Sequence, residues 1–327
     1  MTQTSPFLHL ESLLGSDVML LNSCITEAFQ NQEKLIPEIS SYLISAGGKR
    51  VRPYLSLAVG QMFQSRTPKR FLQAASIEFL HTATLFHDDV VDHSEQRRGK
   101  KSAHLVWGNE ATILVGDYLF AKAFAMMIQL EDPKILAILA KTATRIAEGE
   151  IIQLNRAHDL NLSHADYIAM ISGKTSILFE TATETAAMLA GQSPDIAQQC
   201  GQYGLNLGIA FQLADDALDY DSDQRTLGKN IGDDFIEGKI SAPALYSYRQ
   251  GVDQTRAFWE RVIQGTQSDG DFEQALDILK TQGVLPQIQE DALGYAHKAI
   301  SALECAPDSP MKNALARCAT FAATREF

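Results

Sequence analysis

Two short acidic segments constrain this chain more than any other feature: HDDVVD at 87–92 and ADDALDYD at 214–221. The first holds Asp88, Asp89 and Asp92, and the second Asp215, Asp216 and Asp219. Both lie in apolar sequence of helical character. On a helix, residues four apart share a face, with Cβ atoms about 5–6 Å apart, and like charges there cost about 0.2–0.5 kcal/mol per pair. Asp88 and Asp92 therefore form one carboxylate patch, and Asp215 and Asp219 another. An unfavourable arrangement made twice, among Leu, Phe, Val and Ala, calls for a cation. Hard oxygen donors with no cysteine nearby favour Mg²⁺, which takes one or two carboxylates and completes its octahedron with water and phosphate oxygens.

The chain has 327 residues, a length that fits one large helical domain spanning 1–327. Its net charge of −12 disfavours nucleic acid and anionic membranes as partners. Cys24, Cys200, Cys305 and Cys318 are scattered, matching neither a metal motif nor a disulfide framework. They read as free thiols in a reducing, cytoplasmic compartment. The first residues carry acids and no basic stretch, unlike a signal peptide. No run of 18 uncharged apolar residues occurs, so no transmembrane segment is expected.

Thr67-Pro68, Asp132-Pro133, Ser193-Pro194 and Ser309-Pro310 each put a capping side chain before a proline, the signature of a helix start. Between them run 20–30 residues rich in good helix formers. Strand patterns with hairpin turns are scarce. The expectation is an all-α chain of about a dozen helices.

Several polar residues stand beside this acidic pattern. In AGGKRVRP, 46–53, the glycines and proline mark a helix break carrying Lys49, Arg50 and Arg52. Facing bound metal and phosphate, such a cationic break is a diphosphate clamp. His81 lies two turns before Asp88 on the same side, and reads alone as a core histidine. Glu78 and His81 also form half of a di-iron bundle motif, but no second ExxH accompanies it. Arg97 and Arg98 follow the first motif in a polar stretch expected to be a mobile loop. GDYLF, 116–120, and AFAMM, 123–127, read as one apolar helix with Met126 and Met127 as core filler. The GKT at 173–175 is not a nucleotide loop, because Ile168 stands where a glycine is required. Lys174 and Thr175 sit in helical sequence, where they face a cavity or lie on the surface. Gln212 precedes Asp215 by three, so its amide falls on the same face. Lys229, Asp233, Asp234 and Lys239 stud a glycine-rich stretch that reads as a lid.

GGKRVRP, HDDVVD with RRG behind it, GDYLF, GKTSILF, FQLADDALDYD and GKNIGDDFIEGK, taken in order, closely resemble the motifs of the trans-polyprenyl diphosphate synthases. The resemblance covers residues 46 to about 245. It implies the isoprenoid synthase fold, a helical bundle around a deep central cavity, usually as a homodimer. It implies head-to-tail condensation of isopentenyl diphosphate onto an allylic diphosphate such as farnesyl diphosphate. About three Mg²⁺ are implied, with Asp88 and Asp92 ligating two and Asp215 a third. Arg97, Lys174, Thr175, Gln212 and Lys229 match the family's allylic-substrate contacts, and Lys49, Arg52, His81 and Arg98 its isopentenyl diphosphate contacts. Lys174 and Gln212 thereby count with the aspartates among the catalytic residues. Transient membrane contact for product release is compatible with this picture.

In that family, bulky aromatics four or five residues before the first aspartate end the product early. Here Ala83 and Thr84 occupy those positions. Each residue back along the helix lies 1.5 Å deeper, so the expected product is long, about C40, with Phe79 or Met126 as floor. This is similar to the bacterial octaprenyl-type members that supply quinone side chains. Three competing readings are a metal-dependent phosphohydrolase using the His87-Asp88 pair, with His81, His93 and His104 nearby in sequence, a regulatory subunit, and a class I terpene cyclase. The intact aspartate motifs speak against the second, and the second motif's sequence against the third.

Overall fold

The structure, a computed structural model, describes residues 5–29, 33–45, 49–221 and 231–324. Seventeen α-helices run through these residues, more than the dozen expected because several are short. The all-α expectation is met. The described β structure is one two-stranded hairpin, β1 (Gln96–Arg97) and β2 (Lys100–Lys101). The proline rule holds at three starts. Asp132 Oδ1 accepts the N–H of Lys134 at 2.9 Å at the start of α8 (Pro133–Asn155). Ser193 Oγ accepts from Ile196 at 3.3 Å below α11 (Pro194–Leu218). Ser309 Oγ accepts from Lys312 at 3.1 Å below the last helix, Pro310–Ala323. At the fourth, the helix begins one residue after Pro68. All four cysteines are free.

The residues group into two compact units. One comprises Met1–Ala143, Leu178–Gln202 and Leu303–Leu315; the other comprises Thr144–Ile177, Tyr203–Ala302 and Ala316–Phe327. In the first unit the organising element is α5 (Lys69–Val91). Its 23 residues make a rod roughly 35 Å long. It packs against α2 (Ser16–Ala28), α4 (Val51–Met62) and, most extensively, α7 (Asn109–Ile128). Ala74, Ala75, Ile77, Phe79, Leu80, Ala83 and Phe86 of α5 are buried. Small residues on this face let neighbouring backbones approach closely, while Phe79 meets Phe29 edge-to-face at 4.7 Å. α3 (Leu35–Ser45) and α4 flank the expected break, of which residues 46–48 lie outside the described residues; Arg50 takes a left-handed φ of 46°, and Pro53, expected to mark the break, lies in the first turn of α4.

By length and mean hydropathy (1.5), α7 is apolar enough to cross a membrane. It carries Glu110, Asp117 and Lys122, however, and buries Val115, Leu119, Ala123, Met126 and Met127 within the first unit. That is the pattern of a core helix.

The second unit is built around α13 (Ala242–Gln250), which packs on α14 (Asp253–Ile263), α15 (Asp271–Gln282) and α16 (Val284–Ala302). Its core holds Tyr167, Leu213, Tyr220, Leu245, Trp259 and Ile288. Trp259 is fully buried and gives its indole N–H to Ser247 Oγ at 2.7 Å. Tyr220 and Phe235 pack against its ring with centroids 6.4 and 6.3 Å away.

One polar residue ties three helices of the first unit together. Gln73, fully buried in α5, accepts the hydroxyl of Ser56 from α4. Its amide donates to Thr185 Oγ1 at 2.7 Å and Ala182 O at 3.2 Å, both on α10 (Ile177–Leu189). Replacing Gln73 by Leu strands these partners in the core. Unsatisfied buried groups cost about 1–3 kcal/mol, so Gln73→Leu is expected to lower the urea midpoint accordingly without changing the helical circular dichroism.

Candidate active site

The first motif occupies the last turn of α5. Asp92 N donates to Asp88 O at 2.8 Å, closing that turn, and His93 then takes a left-handed φ of 52°. Ser94 N reaches back to Asp89 O at 3.1 Å, so the helix stops sharply, as helices do at a left-handed residue. Three carboxylates are thereby placed where the helix dipole is already negative, an unfavourable position for acids. They are not equivalent. Asp89 is buried, and Arg97 Nε and Nη2 both approach its Oδ1, at 2.7 and 2.6 Å. Burial pushes the Asp89 carboxyl up, and Arg97 pulls it back. Asp88 and Asp92 are half-buried.

The expected mobile loop after the motif is instead the tight hairpin. Gln96 pairs with Lys101 and Arg97 with Lys100 across a two-residue turn, Arg98-Gly99. Both turn residues have positive φ, 54° and 72°, the conformation that matches the twist of a hairpin. The hairpin thus sets Arg97 against Asp89 and turns Arg98 inward. Burial lowers the Arg98 guanidinium, and the field of Glu78 partly restores it.

His81 and Arg52 meet, Nη1 to Nε2, at 3.1 Å. Burial holds the His81 pKa well below its usual value, and Arg52, Arg98 and Arg97 add to that depression. An arginine can only donate. His81 Nε2 is therefore the acceptor, and its proton resides on Nδ1. The Arg52 guanidinium also lies over the Phe179 ring, 4.2 Å from its centroid. Lys49 is exposed just ahead of α4. Below this group Glu78 is buried; desolvation raises its pKa, and Arg98, Arg52 and Arg50 lower it. Glu78 is thus a counter-charge under a cluster of cations.

His87, paired with Asp88 in the phosphohydrolase reading, has its own seat. A Cβ at Gly116 would lie 2.4 Å from His87 Nε2. The glycine of GDYLF is therefore a notch that admits the imidazole, which lies 3.3 Å from Asp117 Oδ1. Among the described residues no group of three or more His, Cys, Asp and Glu is arranged around one point. The phosphohydrolase reading loses its histidine cluster on this geometry.

The second motif ends α11, again at the negative pole of a helix. Asp219, expected to share a patch with Asp215, accepts backbone N–H groups from Gly232, Asp233 and Asp234 at 3.0, 3.2 and 2.9 Å. It caps the short helix α12 (Asp233–Ile236). Asp216 is buried and accepts from Tyr167 Oη, from Ala242 N at 2.8 Å and from Gln212 Nε2 at 2.8 Å. Burial raises its pKa to about 6 against those three bonds, with Asp215 adding to the rise. Only Asp215 of the three is exposed. Gln212, expected beside Asp215, bonds instead to Asp216 four residues on.

Lys174 and Thr175 lie in a single π-helical turn, Ser172–Ser176, between α9 (His164–Ile171) and α10. Such bulges are rare and frequent at functional sites. Gly149 of α8 makes room for this turn, since a Cβ there would meet the Lys174 backbone N at 2.9 Å. Lys174 Nζ bonds Glu150 Oε2 at 2.8 Å, and Thr175 Oγ1 donates to Gln212 Oε1 at 3.1 Å. Lys174, Thr175, Gln212, Asp216, Asp234 and Lys239 line a cavity of about 180 Å³ within the second unit. Of the expected lid, Lys229 lies outside the described residues, whereas Asp233 and Asp234 are in α12 and Lys239 follows it.

The structure thus groups Arg52, His81 and Arg98 in one unit, and Lys174, Thr175 and Gln212 in the other. Sequence reasoning names Asp89 and Glu78 without these contacts, and it misses Glu150 and Tyr167. The i,i+4 spacing of Gln212 and Asp216 was a usable signal. Glu150 had none, because its contact depends on a helix approach that only Gly149 permits.

Helices ending in paired aspartates, with a group of cationic side chains in the first unit, are features of a protein that handles diphosphates. The polyprenyl synthetase family model matches residues 33–279. Over 317 residues the chain is 37% identical to the octaprenyl diphosphate synthase of Escherichia coli, covering 97% of this chain and 98% of that one. It superposes with TM-score 0.93 and 43% identity on a polyprenyl synthase from Caulobacter crescentus complexed with calcium and isoprenyl diphosphate, covering 99% of both chains. A decaprenyl diphosphate synthase from Rhodobacter capsulatus gives TM-score 0.94 and 40% identity, covering 98% of this chain and all of that one. The chain belongs to the polyprenyl synthetase family, and it is a prenyltransferase.

The depressed His81 pKa fixes a sign. His81 stays neutral in the fold but takes a proton in the unfolded chain below about pH 6.5, so acid favours unfolding there. His81→Gln removes this linkage. Denaturant unfolding is expected to show the variant losing less stability than the parent as pH falls from 6.5 to 5.

Proposed function

We propose that this prenyltransferase is a Mg²⁺-dependent all-trans-polyprenyl diphosphate synthase, one family domain over 1–327, that extends an allylic diphosphate with isopentenyl diphosphate to about C40. Each cycle breaks the C1–O bond of the allylic diphosphate, joins that carbon to the terminal alkene carbon of isopentenyl diphosphate, and loses one proton. The departed diphosphate is the base for that proton.

The observation that carries this reading is the sorting of the aspartates. Asp89, Asp216 and Asp219 are engaged by Arg97, by Tyr167, Gln212 and Ala242, and by the 232–234 backbone. Asp215 is exposed, and Asp88 and Asp92 are half-buried, as Asp219 also is; we assign Asp88, Asp92 and Asp215 as the metal ligands. Their hard oxygen donors fit Mg²⁺, which retains water and phosphate oxygens in its shell. About three Mg²⁺ are expected, and when bound they supply charge neutralisation to the leaving diphosphate.

The chain's own residues supply the rest. Lys49, Arg52, His81 and Arg98 would receive isopentenyl diphosphate. A neutral His81 with its proton on Nδ1 is an added donor beside fixed guanidinium groups. Arg97, Lys174, Thr175, Gln212 and Lys229 would hold the allylic partner, with hydroxyl and amide oxygens near the developing cation. Water would quench that cation, so the reaction requires its exclusion.

The long product is supported by small residues before the first motif and by octaprenyl and decaprenyl synthases among the relatives. Ala83 is fully buried, and Thr84 spends its hydroxyl on His81 O at 2.8 Å. Phe79 of α5 and Met126 of α7 are both buried. Exposed Leu105, Val106, Ile113 and Leu114, on α6 (Ala103–Trp107) and α7, support a homodimer. A cytoplasmic enzyme serving quinone side chains, with transient membrane contact at product release, completes the reading.

Incubation with radiolabelled isopentenyl diphosphate, farnesyl diphosphate and Mg²⁺, then chromatography of the lipid, is expected to give a polyprenyl product near C40. EDTA should abolish it. No incorporation with either farnesyl or geranyl diphosphate overturns the function. Ala83→Phe overpacks the α5 wall, at a cost of about 1–3 kcal/mol, and is expected to shorten the product. A folded variant making the parental chain length refutes the wall assignment.

A further inference from the structure

We propose that Tyr167 and Asp216 act as positioning residues that lock the Gln212 side chain in one of its two amide orientations. The argument rests on the reading above, in which Gln212 and Thr175 face the allylic cation.

The geometry leaves little freedom. Asp216 lies on α11 one turn beyond Gln212, and its side chain is buried. One oxygen, Oδ2, takes both Tyr167 Oη and Ala242 N. The other, Oδ1, faces Gln212 at 2.8 Å. A carboxylate can only accept, so Gln212 must offer it the NH₂ end of the amide. The amide oxygen is then driven to the opposite side, where it accepts from Thr175 Oγ1 at 3.1 Å. That direction is the cavity shared with Lys174.

Reversing the amide would set its oxygen against Oδ1, two acceptors with no proton between them, and would leave the Thr175 hydroxyl facing an NH₂. The electrostatic consequence is specific. Near a developing allylic cation, a carbonyl oxygen stabilises charge and an amide NH₂ opposes it. Tyr167 contributes by holding Asp216 Oδ2 in place from α9, so that Oδ1 keeps its aim. Neither residue touches the reacting carbons in this scheme. Tyr167 falls outside every motif that the sequence singled out. The π-helical turn that aims Thr175 follows Tyr167's own helix directly, so one short segment supplies both the brace and the hydroxyl it serves.

The test is a double-mutant cycle on single-turnover rates, with KM for the allylic substrate and Mg²⁺ dependence measured on each variant. Tyr167→Phe is expected to lower the chemical rate about 10-fold, the loss of one hydrogen bond to a charged group, with both KM and Mg²⁺ dependence unchanged. Gln212→Ala lowers the rate by itself. Asp216→Asn turns an NH₂ toward Gln212 and flips its amide. Combined with Gln212→Ala, it is expected to add less than 3-fold, because its target is gone.

Full additivity of Asp216→Asn and Gln212→Ala, or a Tyr167→Phe enzyme with parental rate, overturns the brace. A Gln212→Ala enzyme with parental rate instead overturns the underlying assignment of Gln212. Circular dichroism and thermal midpoints of the Phe and Asn variants, both close to isosteric, separate these outcomes from loss of fold.

Discussion

The arrangement on which the rest depends is electrostatic: two helices end in three carboxylates each. The C-terminal end of a helix carries a partial negative charge, and an acid placed there is disfavoured by about 0.3–1 kcal/mol. α5 and α11 both accept this penalty in their last turns. A fold optimised only for stability would put lysine or arginine there. The chain instead distributes the cost by giving some carboxylates internal partners. Asp89 has a guanidinium, Asp216 three donors, and Asp219 three backbone N–H groups. Of the second set only Asp215 is exposed, and in the first set Asp88 and Asp92 are half-buried.

How much of this was legible depended on the range of the interaction. The helices were readable because capping side chains and prolines act within three residues, as Asp132, Ser193 and Ser309 demonstrate. The acidic motifs were readable for the same reason. The fate of individual aspartates was not. Spacing puts Asp215 and Asp219 on one face, but it cannot show that the backbone of residues 232–234 returns to cap Asp219. The hairpin at 96–101 was mistaken for a loop because its turn needs a left-handed Arg98, a conformation that arginine rarely adopts and that sequence does not advertise. The notches at Gly116 and Gly149 likewise became meaningful only once His87 and the π-helical turn were seen filling them.

The second unit illustrates how buried polar groups gain direction. A lone buried carboxylate is costly, and Asp216 shows it by titrating near 6. Three donors make its burial tolerable, and each donor is then oriented in turn. The indole of Trp259 on Ser247 follows the same logic. Such networks are worth more as alignment devices than as stabilisers, since the net gain per bond is only about 1 kcal/mol.

The cationic group of the first unit carries the opposite imbalance. Lys49, Arg50, Arg52, Arg97 and Arg98 outnumber the buried acids Glu78 and Asp89. Arg97 is paired with Asp89, and Glu78 is shared among Arg50, Arg52 and Arg98. His81 cannot add a proton without worsening the excess, which is why the same arginines depress its pKa. Glu78 therefore offsets part of the repulsion but not all of it. A third buried acid would offset more of the repulsion within the fold, yet would also repel the anion that the proposed reaction requires. A positive excess in this group suits the proposed reaction, because binding energy held back from folding remains available to a diphosphate.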